Sequence, residues 1–203
     1  MTTLTPATAA KLDALAGLIP HDEGLALAEL AAAVPADEAI VELGSFKGKS
    51  TAYLAAGAKR GSGARVHAVE PHDLPGNVYG KHGYSAPEVR AAFEQQLRSV
   101  RLWSAVTYVQ AFSWDAAAAW DGPPVGLLFI DGDHAEEAIR RDLAAWERHL
   151  APHAVVAFDD LDTPRNPGVR VVVDDLVAGG WTVQVLCDRL AVGRPPVPLA
   201  AAL

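Results

Sequence analysis

The sequence has 203 residues, of which 50% are hydrophobic and 21% are charged, so disordered, collagen-like and coiled-coil chains are excluded. Its formal net charge of −8 has the wrong sign for a nucleic-acid-binding surface, and no apolar run reaches the roughly 20 residues of a membrane span. Cys187 is the one cysteine, no zinc-type spacing occurs, and Met1 to Pro6 show no signal-peptide pattern, so we expect a reducing, cytoplasmic location.

Two helices are predicted before residue 38. Thr5 and Pro6 make a helix start, with a hydroxyl at the N-cap and proline in the first turn. Apolar residues then recur at helical spacing, at Leu12, Leu15, Leu18 and Ile19. A second helix is predicted to begin near Asp22 and to continue until Pro35.

Beyond residue 38, short apolar runs alternate with helical stretches. The predicted strands are Ala39–Leu43, Arg65–Val69, Val106–Gln110, Val125–Ile130, Ala154–Phe158 and Trp181–Leu186. The predicted helices are Ser50–Lys59, Pro87–Val100, Ala135–Leu150 and Val169–Val177. Strands that are apolar on both faces indicate a parallel sheet covered on two sides. We expect one α/β domain over 1–203, with helices in 1–37, a ligand-binding core in 38–193 and an irregular tail in 194–203.

Polar residues follow five successive strands of this predicted sheet. Ligands of such sheets bind beyond the carboxyl ends of the strands, near the point where the strand order reverses. The segments at these ends are Glu42 to Thr51, Glu70 to His72, Ala111 to Trp114, Asp131 to His134, and Asp159 with Asp160. Their coincidence at one edge predicts a ligand site there.

The turn after the first strand has the pattern acidic-x-Gly-x-x-x-Gly. Three residues separate Gly44 from Gly48 where a P-loop needs four, and Phe46 stands where a dinucleotide fingerprint has glycine. The pattern therefore favours a ligand that contains a nucleoside and an amino-acid end but no phosphates. Glu42 suits an ammonium or sulfonium group, and Glu70 lies where an acid commonly holds ribose hydroxyls. The alternative is a turn glycine beside two solvated carboxylates.

Three motifs carry a resemblance: V-E-L-G-S-F-K-G-K-S-T (Val41 to Thr51), A-V-E-P-H (Ala68 to His72) and L-F-I-D-G-D-H (Leu128 to His134). They resemble class I S-adenosylmethionine-dependent methyltransferases, and more narrowly the metal-using O-methyltransferases of the catechol type and the macrocin-type sugar group. The resemblance covers roughly residues 23–193. It implies a Rossmann-like, doubly wound, mostly parallel seven-stranded sheet with helices on both faces and two extra N-terminal helices. The implied reaction is methyl transfer from S-adenosylmethionine to a small-molecule hydroxyl, on a sugar or phenol of secondary metabolism.

The resemblance also implies roles for residues at the strand ends. The implied cofactor-binding residues are Glu42, Gly44, Ser45, Phe46, Ser50, Glu70, Ser113, Trp114 and Asp131. Gly44, Phe46 and Ser50 would line the methionine end of the cofactor. Glu70 would hold the ribose, and Ser113 and Trp114 would flank the adenine. Alternatively, Ser113 caps a helix and Trp114 is a core aromatic residue.

Asp131, Asp159 and Asp160 are expected at the ends of two neighbouring strands. Converging carboxylates repel one another, so a cation between them is expected, and oxygen ligands suit Mg²⁺ or Ca²⁺. The resemblance places a divalent metal here, Mg²⁺ in our prediction, although the catechol type has asparagine where Asp160 stands. The alternative is a metal-independent enzyme in which Asp159 and Asp160 cap a loop.

Two neighbouring residues, Asp133 and His134, compete for the role of catalytic base. By resemblance, the catechol type has its base three residues past the metal-binding acid, at His134. The sugar type has it two residues past that acid, at Asp133. Asp133 could instead cap the following helix, and His134 could be structural. The segment from His72 to Pro87 is predicted to be a lid over the acceptor, with Arg165 and Asn166 on a second wall.

Two other classes of function compete with methyl transfer. Gly48, Lys49 and Ser50 suggest a nucleotide-dependent kinase, although the glycine spacing argues against it. A cofactor-binding protein without turnover is the non-enzyme alternative. The expected partner is a small-molecule hydroxyl acceptor, with no nucleic acid or membrane, and the N-terminal helices and the tail offer surfaces for a homodimer.

Overall fold

Seven strands form a single sheet in this computed structural model, which describes residues 4–77, 79–164 and 166–196. The strands are β1 (Ala39–Leu43), β2 (Arg65–Val69), β3 (Val106–Val109), β4 (Val125–Ile130), β5 (Leu150–Phe158), β6 (Thr182–Cys187) and β7 (Leu190–Arg194). Their order is β3-β2-β1-β4-β5-β7-β6, with β1 to β5 parallel and β7 antiparallel to both of its neighbours. The expected mostly parallel, doubly wound sheet is confirmed.

Helices cover both faces of the sheet. One face carries α1 (Pro6–Asp13), α2 (His21–Ala32), α3 (Lys49–Arg60) and α4 (Ala86–Ser99), and the other carries α5 (Ser113–Ala118), α6 (Glu136–Trp146) and α7 (Pro167–Ala178). Side chains of β4 alternate between the two cores, with Phe129 in one and Leu128 in the other. Within the described ranges, none of the helices has the length and apolar character needed to span a bilayer.

Some element boundaries differ from the predictions. The cap at Thr5 is confirmed, but α1 ends at Asp13, and Leu18, predicted on its apolar face, is 70% exposed. The helix predicted to reach Leu150 ends at Trp146, and β5 begins at Leu150, because Pro152 disfavours helix in the residues before it. Neither α5 nor β7 has its own periodic signal, since both are short. Of the predicted tail, residues 197–203 lie outside the described part.

Helix α2 packs closely on helix α3. A Cβ atom at Gly57 of α3 would lie 2.1 Å from the carbonyl oxygen of Ala28 in α2, so this crossing requires glycine. The buried face of α2 includes Leu27 and Ala31, and Glu23 lies on the same stripe, four residues before Leu27. This packing brings an acidic side chain from the N-terminal region to the functional edge of the sheet.

Candidate functional site

The carboxyl ends of four neighbouring strands are aligned residue by residue. Leu43 of β1 pairs with Val69 of β2 and Ile130 of β4, and Ile130 pairs with Phe158 of β5. The ladder continues one residue further, because the N–H groups of the next residues donate to the neighbouring strands. These next residues are Gly44, Glu70, Asp131 and Asp159. The strand order reverses between β1 and β4, so the predicted site residues meet at the switch point.

The turn after β1 approaches the backbone of β4 closely. Gly44 has φ +89°, and a Cβ atom there would lie 2.3 Å from the carbonyl oxygen of Asp131. Phe46 also has positive φ, and Gly48, in the left-handed conformation, flanks the start of α3. The turn itself thus requires glycine at position 44 for steric reasons, and the absence of a side chain there also lets a ligand approach the backbone.

Glu42 lies beneath this turn and is fully buried. Its Oε2 accepts hydrogen bonds from the hydroxyls of Ser45, at 2.7 Å, and Thr51, and the hydroxyl of Ser50 also contacts the carboxyl group. Its Oε1 has no partner among the described residues. Burial raises the pKa of Glu42 to about 7, although the hydroxyl contacts oppose the shift. Glu42, Ser45 and Ser50 therefore form the internal support of the turn.

Glu70 fastens the same turn from β2. Its Oε2 accepts the backbone N–H groups of Ser45, at 2.9 Å, and Phe46, at 3.0 Å, while Oε1 accepts that of His72 at 3.3 Å. The Tyr79 hydroxyl also contacts this carboxyl group, so its roughly four acceptor positions are all engaged. Glu70 is thus oriented by the backbone of the turn and by Tyr79.

The segment predicted as a lid lies against the β1 turn. Tyr79 stacks on Phe46 with ring centroids 6.0 Å apart, and Tyr84 meets Phe46 edge-on at 5.0 Å. His72 is fully buried, and its ring nitrogens bond the Tyr108 hydroxyl at 2.7 Å and the Phe46 carbonyl at 2.9 Å. The aromatic side chains thus form a wall beside the turn, while Arg165, predicted on the opposite wall, lies outside the described residues.

Ser113 and Trp114 begin α5, on the other side of the same edge. The Ser113 hydroxyl accepts a hydrogen bond from Trp146 Nε1 at 3.1 Å and contacts Asp142, so it is held by internal partners. Trp114 is half-buried, stacks on Phe112 at 4.9 Å and lies under the Arg141 guanidinium at 3.7 Å. The structure contradicts both alternative roles of Ser113 and Trp114. Phe112, and not Ser113, occupies the N-cap position of α5, and Trp114 is only half-buried and is not a core residue.

The acidic residues after β4 and β5 surround a histidine. His134 Nε2 lies 3.8 Å from Asp131 Oδ1 and 3.7 Å from Asp159 Oδ2. Three potential ligand atoms, one from each of these residues, lie within 4.8 Å of one another. Burial, and then Asp159, raises the pKa of Asp131 well above its usual range, whereas burial lowers the pKa of His134.

Asp160 and Asp133 are placed differently from this group. Asp160 has φ +60°, and its two oxygens contact the Arg189 guanidinium and the Asn166 amide. Asp133 is exposed, and its Oδ1 accepts the N–H of Ala135 at 3.0 Å. The structure thus brings Asp131, Asp159 and His134 together, ties Asp160 to the loop, and leaves Asp133 at the surface.

Two residues of this cluster have no counterpart in the sequence-based prediction. Glu23 is 0% exposed, and neither of its carboxyl oxygens has a hydrogen-bond partner among the described residues. Burial, and then the adjoining Asp159, raises the pKa of Glu23 to about 9. Arg189, in the turn between β6 and β7, reaches both Asp159 and Asp160. Glu23 could have been identified from the sequence, because a charged residue on the apolar face of a helix is unusual. No sequence pattern points to Arg189.

A surface pocket of about 440 Å³ adjoins the acidic group. It lies between the N-terminal ends of α6 and α7, and its lining includes Asp133, His134, Asn166 and Gly168. Its lining is about equally polar and apolar, and its position beside His134 suits a small molecule with both kinds of surface.

Comparison with known proteins places these features in a family. Residues 41–161, more than half of the chain, match the family model described as a methyltransferase domain. Among solved structures, the cofactor-bound protein Rv0187 from MTB is 22% identical with a TM-score of 0.65, covering 92% of this chain and 87% of its own. TomG from Streptomyces achromogenes, an O-methyltransferase involved in tomaymycin synthesis and solved with S-adenosylmethionine, is 19% identical with a TM-score of 0.62, covering 95% and 91%. CalS11, a TDP-rhamnose 3'-O-methyltransferase in calicheamicin biosynthesis, is 19% identical with a TM-score of 0.60, covering 94% and 95%.

Proposed function

The chain belongs to the methyltransferase-domain family, and from that premise we propose that it transfers a methyl group from S-adenosylmethionine to a hydroxyl of a small molecule, assisted by a divalent cation. The observation that carries this proposal is the alignment of Gly44, Glu70, Asp131 and Asp159 at the switch point of the sheet. This alignment places the glycine turn after β1, the acid proposed to bind the ribose and the acidic group after β4 and β5 at one edge of the sheet.

The proposed cofactor seat runs across the ends of β2, β1 and β4. Gly44, Ser45 and Phe46 border the methionine end, and Ser50 supports them from below through Glu42. A ribose hydroxyl would bind Glu70 in place of the Tyr79 hydroxyl, which contacts this carboxyl group in the structure. The half-buried Trp114 indole, which contacts Phe112 and Arg141 through its ring, would flank the adenine with its edge, and Ser113 keeps the start of α5 in place. The acidic residues beside this seat attract the positive charge of the sulfonium group.

The chemical step is a substitution at the sulfonium methyl carbon. The carbon–sulfur bond breaks as the carbon–oxygen bond to the acceptor forms, the sulfonium becomes a neutral thioether, and the hydroxyl proton passes to a base. Since charge is lost, orientation and exclusion of water matter more than stabilisation of an anion. The wall formed by Phe46, Tyr79 and Tyr84 supplies apolar surface on one side of the seat.

A divalent cation fits the acidic group because its buried oxygens lack donors. Asp159 Oδ1 and both oxygens of Glu23 have no hydrogen-bond partner among the described residues. Asp131 and Asp159 are the carboxylates closest to the switch point and would hold the ion. When bound, such a cation lowers the pKa of a coordinated hydroxyl, as it does for water.

The two candidate bases differ in their surroundings, and the difference favours Asp133. His134 Nε2 is buried and faces Asp131 and Asp159. Asp133 is exposed at the adjoining pocket, where a polar acceptor can reach it. We therefore expect Asp133→Asn to lower kcat by about 10²–10⁴-fold with little change in cofactor affinity.

The acceptor proposed is a sugar or phenol of secondary metabolism. TomG and CalS11 act in the synthesis of tomaymycin and calicheamicin, and the pocket beside His134 is of small-molecule size and has polar residues in its lining. A panel of sugar and phenol acceptors, assayed with isotopically labelled S-adenosylmethionine, tests this class directly.

Calorimetry with S-adenosylhomocysteine tests the cofactor seat. Glu70→Gln should weaken binding about tenfold or more, because a charge-assisted hydrogen bond is lost. Glu88→Gln, on the exposed surface of α4, is the matched control and should bind normally. Binding of ATP in place of S-adenosylhomocysteine would support the kinase alternative, and binding without transfer to any acceptor would support a non-catalytic protein. Turnover unaffected by a chelator would support a metal-independent enzyme.

A further inference from the structure

The second acid after β5, Asp160, is engaged in contacts that fix the loop. Its Oδ1 contacts the Arg189 guanidinium and its Oδ2 contacts the Asn166 side-chain amide. The backbone supports the same arrangement, since the N–H of Leu161 donates to the Arg189 carbonyl at 2.9 Å. Asp160 therefore ties the end of β5 to the β6–β7 turn and to the start of α7.

His134 occupies the position beside Asp131 and Asp159 that a third ligand would take. Its Nε2 lies 3.8 Å from Asp131 Oδ1 and 3.7 Å from Asp159 Oδ2. These separations are too long for hydrogen bonds. All three ligand atoms lie within 4.8 Å of one another, so small side-chain shifts would let one ion contact the three of them.

Buried atoms without partners point to a ligand at this position. Asp159 is 4% exposed and its Oδ1 has no hydrogen-bond partner, and His134 Nε2 is likewise buried and unpartnered among the described residues. Glu23, 0% exposed, lies against Asp159 and adds a further buried acid to this group. Leaving such polar atoms unpaired in the interior is costly, and an ion satisfies several of them at once.

The other ring nitrogen of His134 faces a carboxylate. Its Nδ1 lies 3.9 Å from Asp160 Oδ2. Histidines that bind metals commonly direct their second nitrogen to a carboxylate, which fixes the ring orientation. At 3.9 Å this contact is electrostatic and not a hydrogen bond, so Asp160 influences the orientation of His134 through its charge and does not bind the ion itself.

We propose that the cation site consists of Asp131, His134 and Asp159, with Asp160 as a positioning residue, and that it takes a first-row transition-metal ion in preference to Mg²⁺. This proposal rests on the divalent cation of the proposed function. It replaces the predicted oxygen-only ligands, Asp131, Asp159 and Asp160, with a mixed set of one nitrogen and two oxygen ligands. Imidazole ligands suit ions such as Zn²⁺ and Fe²⁺, whereas Mg²⁺ prefers oxygen, and Mn²⁺ is found with carboxylate ligands as well. His134 then serves as a ligand, leaving Asp133 as the base.

Pulsed electron paramagnetic resonance of the Mn²⁺-loaded full chain tests this assignment without any activity assay. The wild-type protein should show ¹⁴N coupling from one directly bound imidazole, and growth on ¹⁵N-histidine should replace it with a ¹⁵N signal. His134→Ala should lose the coupling. His153→Ala, which removes an exposed imidazole paired with Glu38, is the matched control and should keep it.

Affinity measurements separate the remaining residues. Asp160→Asn should weaken Mn²⁺ binding about 10–100-fold but retain nitrogen coupling at saturation, as expected of an orienting residue. Zn²⁺ or Co²⁺ should displace Mn²⁺ at lower concentrations than Mg²⁺ does.

Three results would overturn the assignment: no binding of Mn²⁺, bound Mn²⁺ without nitrogen coupling, or coupling that persists in His134→Ala. The ¹⁵N-labelled wild type decides between a nitrogen ligand and an oxygen-only site even if a variant does not fold. Glu70→Gln should lose cofactor affinity while keeping the nitrogen signal. Absence of methyl transfer by a protein that shows this signal would contradict the proposed function and leave the metal assignment intact.

Discussion

The two halves of the candidate site satisfy their buried polar groups in opposite ways. Around the β1 turn, Glu42 and Glu70 accept hydrogen bonds from hydroxyls and backbone N–H groups of the turn itself. After β4 and β5, Glu23, Asp131 and Asp159 are buried beside one another, and Asp159 Oδ1 has no hydrogen-bond partner among the described residues. The comparison indicates that the turn is pre-organised by its own contacts, whereas the acidic half would be completed by the proposed cation.

Gly44→Ala is the strongest test of the pre-organised half. Positive φ and a contact of 2.3 Å with a backbone oxygen should together destabilise the protein by roughly 2–5 kcal/mol in urea unfolding. Gly63→Ala is the matched control, because Gly63 has φ +84° but nothing within 4 Å of a Cβ atom, and it should cost about 1–2 kcal/mol. Equal costs at the two positions would contradict the close approach.

Glu23→Gln tests the acidic half through its pH dependence. The raised pKa, about 9 against an ordinary 4.5, means that the folded protein retains a proton that the unfolded chain releases. The stability of the metal-free protein should therefore fall as pH rises between these values, by about 2–4 kcal/mol from pH 5 to pH 8. Chemical unfolding should show a flatter profile for Glu23→Gln, and identical profiles would refute the predicted contribution of Glu23.

Addition of a cation should stabilise only a protein with an intact acidic half. An ion at 100 times its dissociation constant adds about 2.7 kcal/mol to the free energy of unfolding. Thermal unfolding with Mn²⁺ should show this increase for the wild type and for Glu42→Gln. Asp159→Asn should show little of it, and an equal increase in Asp159→Asn would place the ion elsewhere.

Glu42→Gln is expected to have the smallest effect. Burial raises the pKa of Glu42 to about 7. Glu42 therefore affects the pH dependence of the free energy of unfolding only between about pH 4.5 and pH 7, where stability should fall as the pH rises. Replacing Glu42 should remove about 2 kcal/mol of that fall in urea unfolding measured at pH 5 and pH 7.5. A larger effect than that of Glu23→Gln would reverse the proposed difference between the two halves.

The sequence predicts the sheet better than it predicts the site. The bounds of β1, β2 and β4 agree with their apolar runs, because strands buried on both faces leave a continuous hydrophobic signal. The start of β5 escapes prediction, since Pro152 and exposed residues dilute its signal. Motifs also locate Gly44, Glu70, Asp131 and Asp159 at one edge.

Tertiary contacts decide what the motifs leave open. Glu23 reaches the acidic group because α2 packs closely on α3 through Gly57, which no local pattern shows. The sequence predicts Asp160 as a metal ligand on an equal footing with Asp159, yet Arg189 from a distant turn engages one of its oxygens. Side-chain orientation within an acidic pair depends on such partners and is not encoded in the spacing of the pair.

A crystal structure with S-adenosylhomocysteine and Mn²⁺ tests the central claim most directly. We predict the ribose on Glu70, the amino-acid end over Gly44, and the ion between Asp131 and Asp159. A nucleoside bound away from Glu70, or an ion remote from these two acids, would contradict the account.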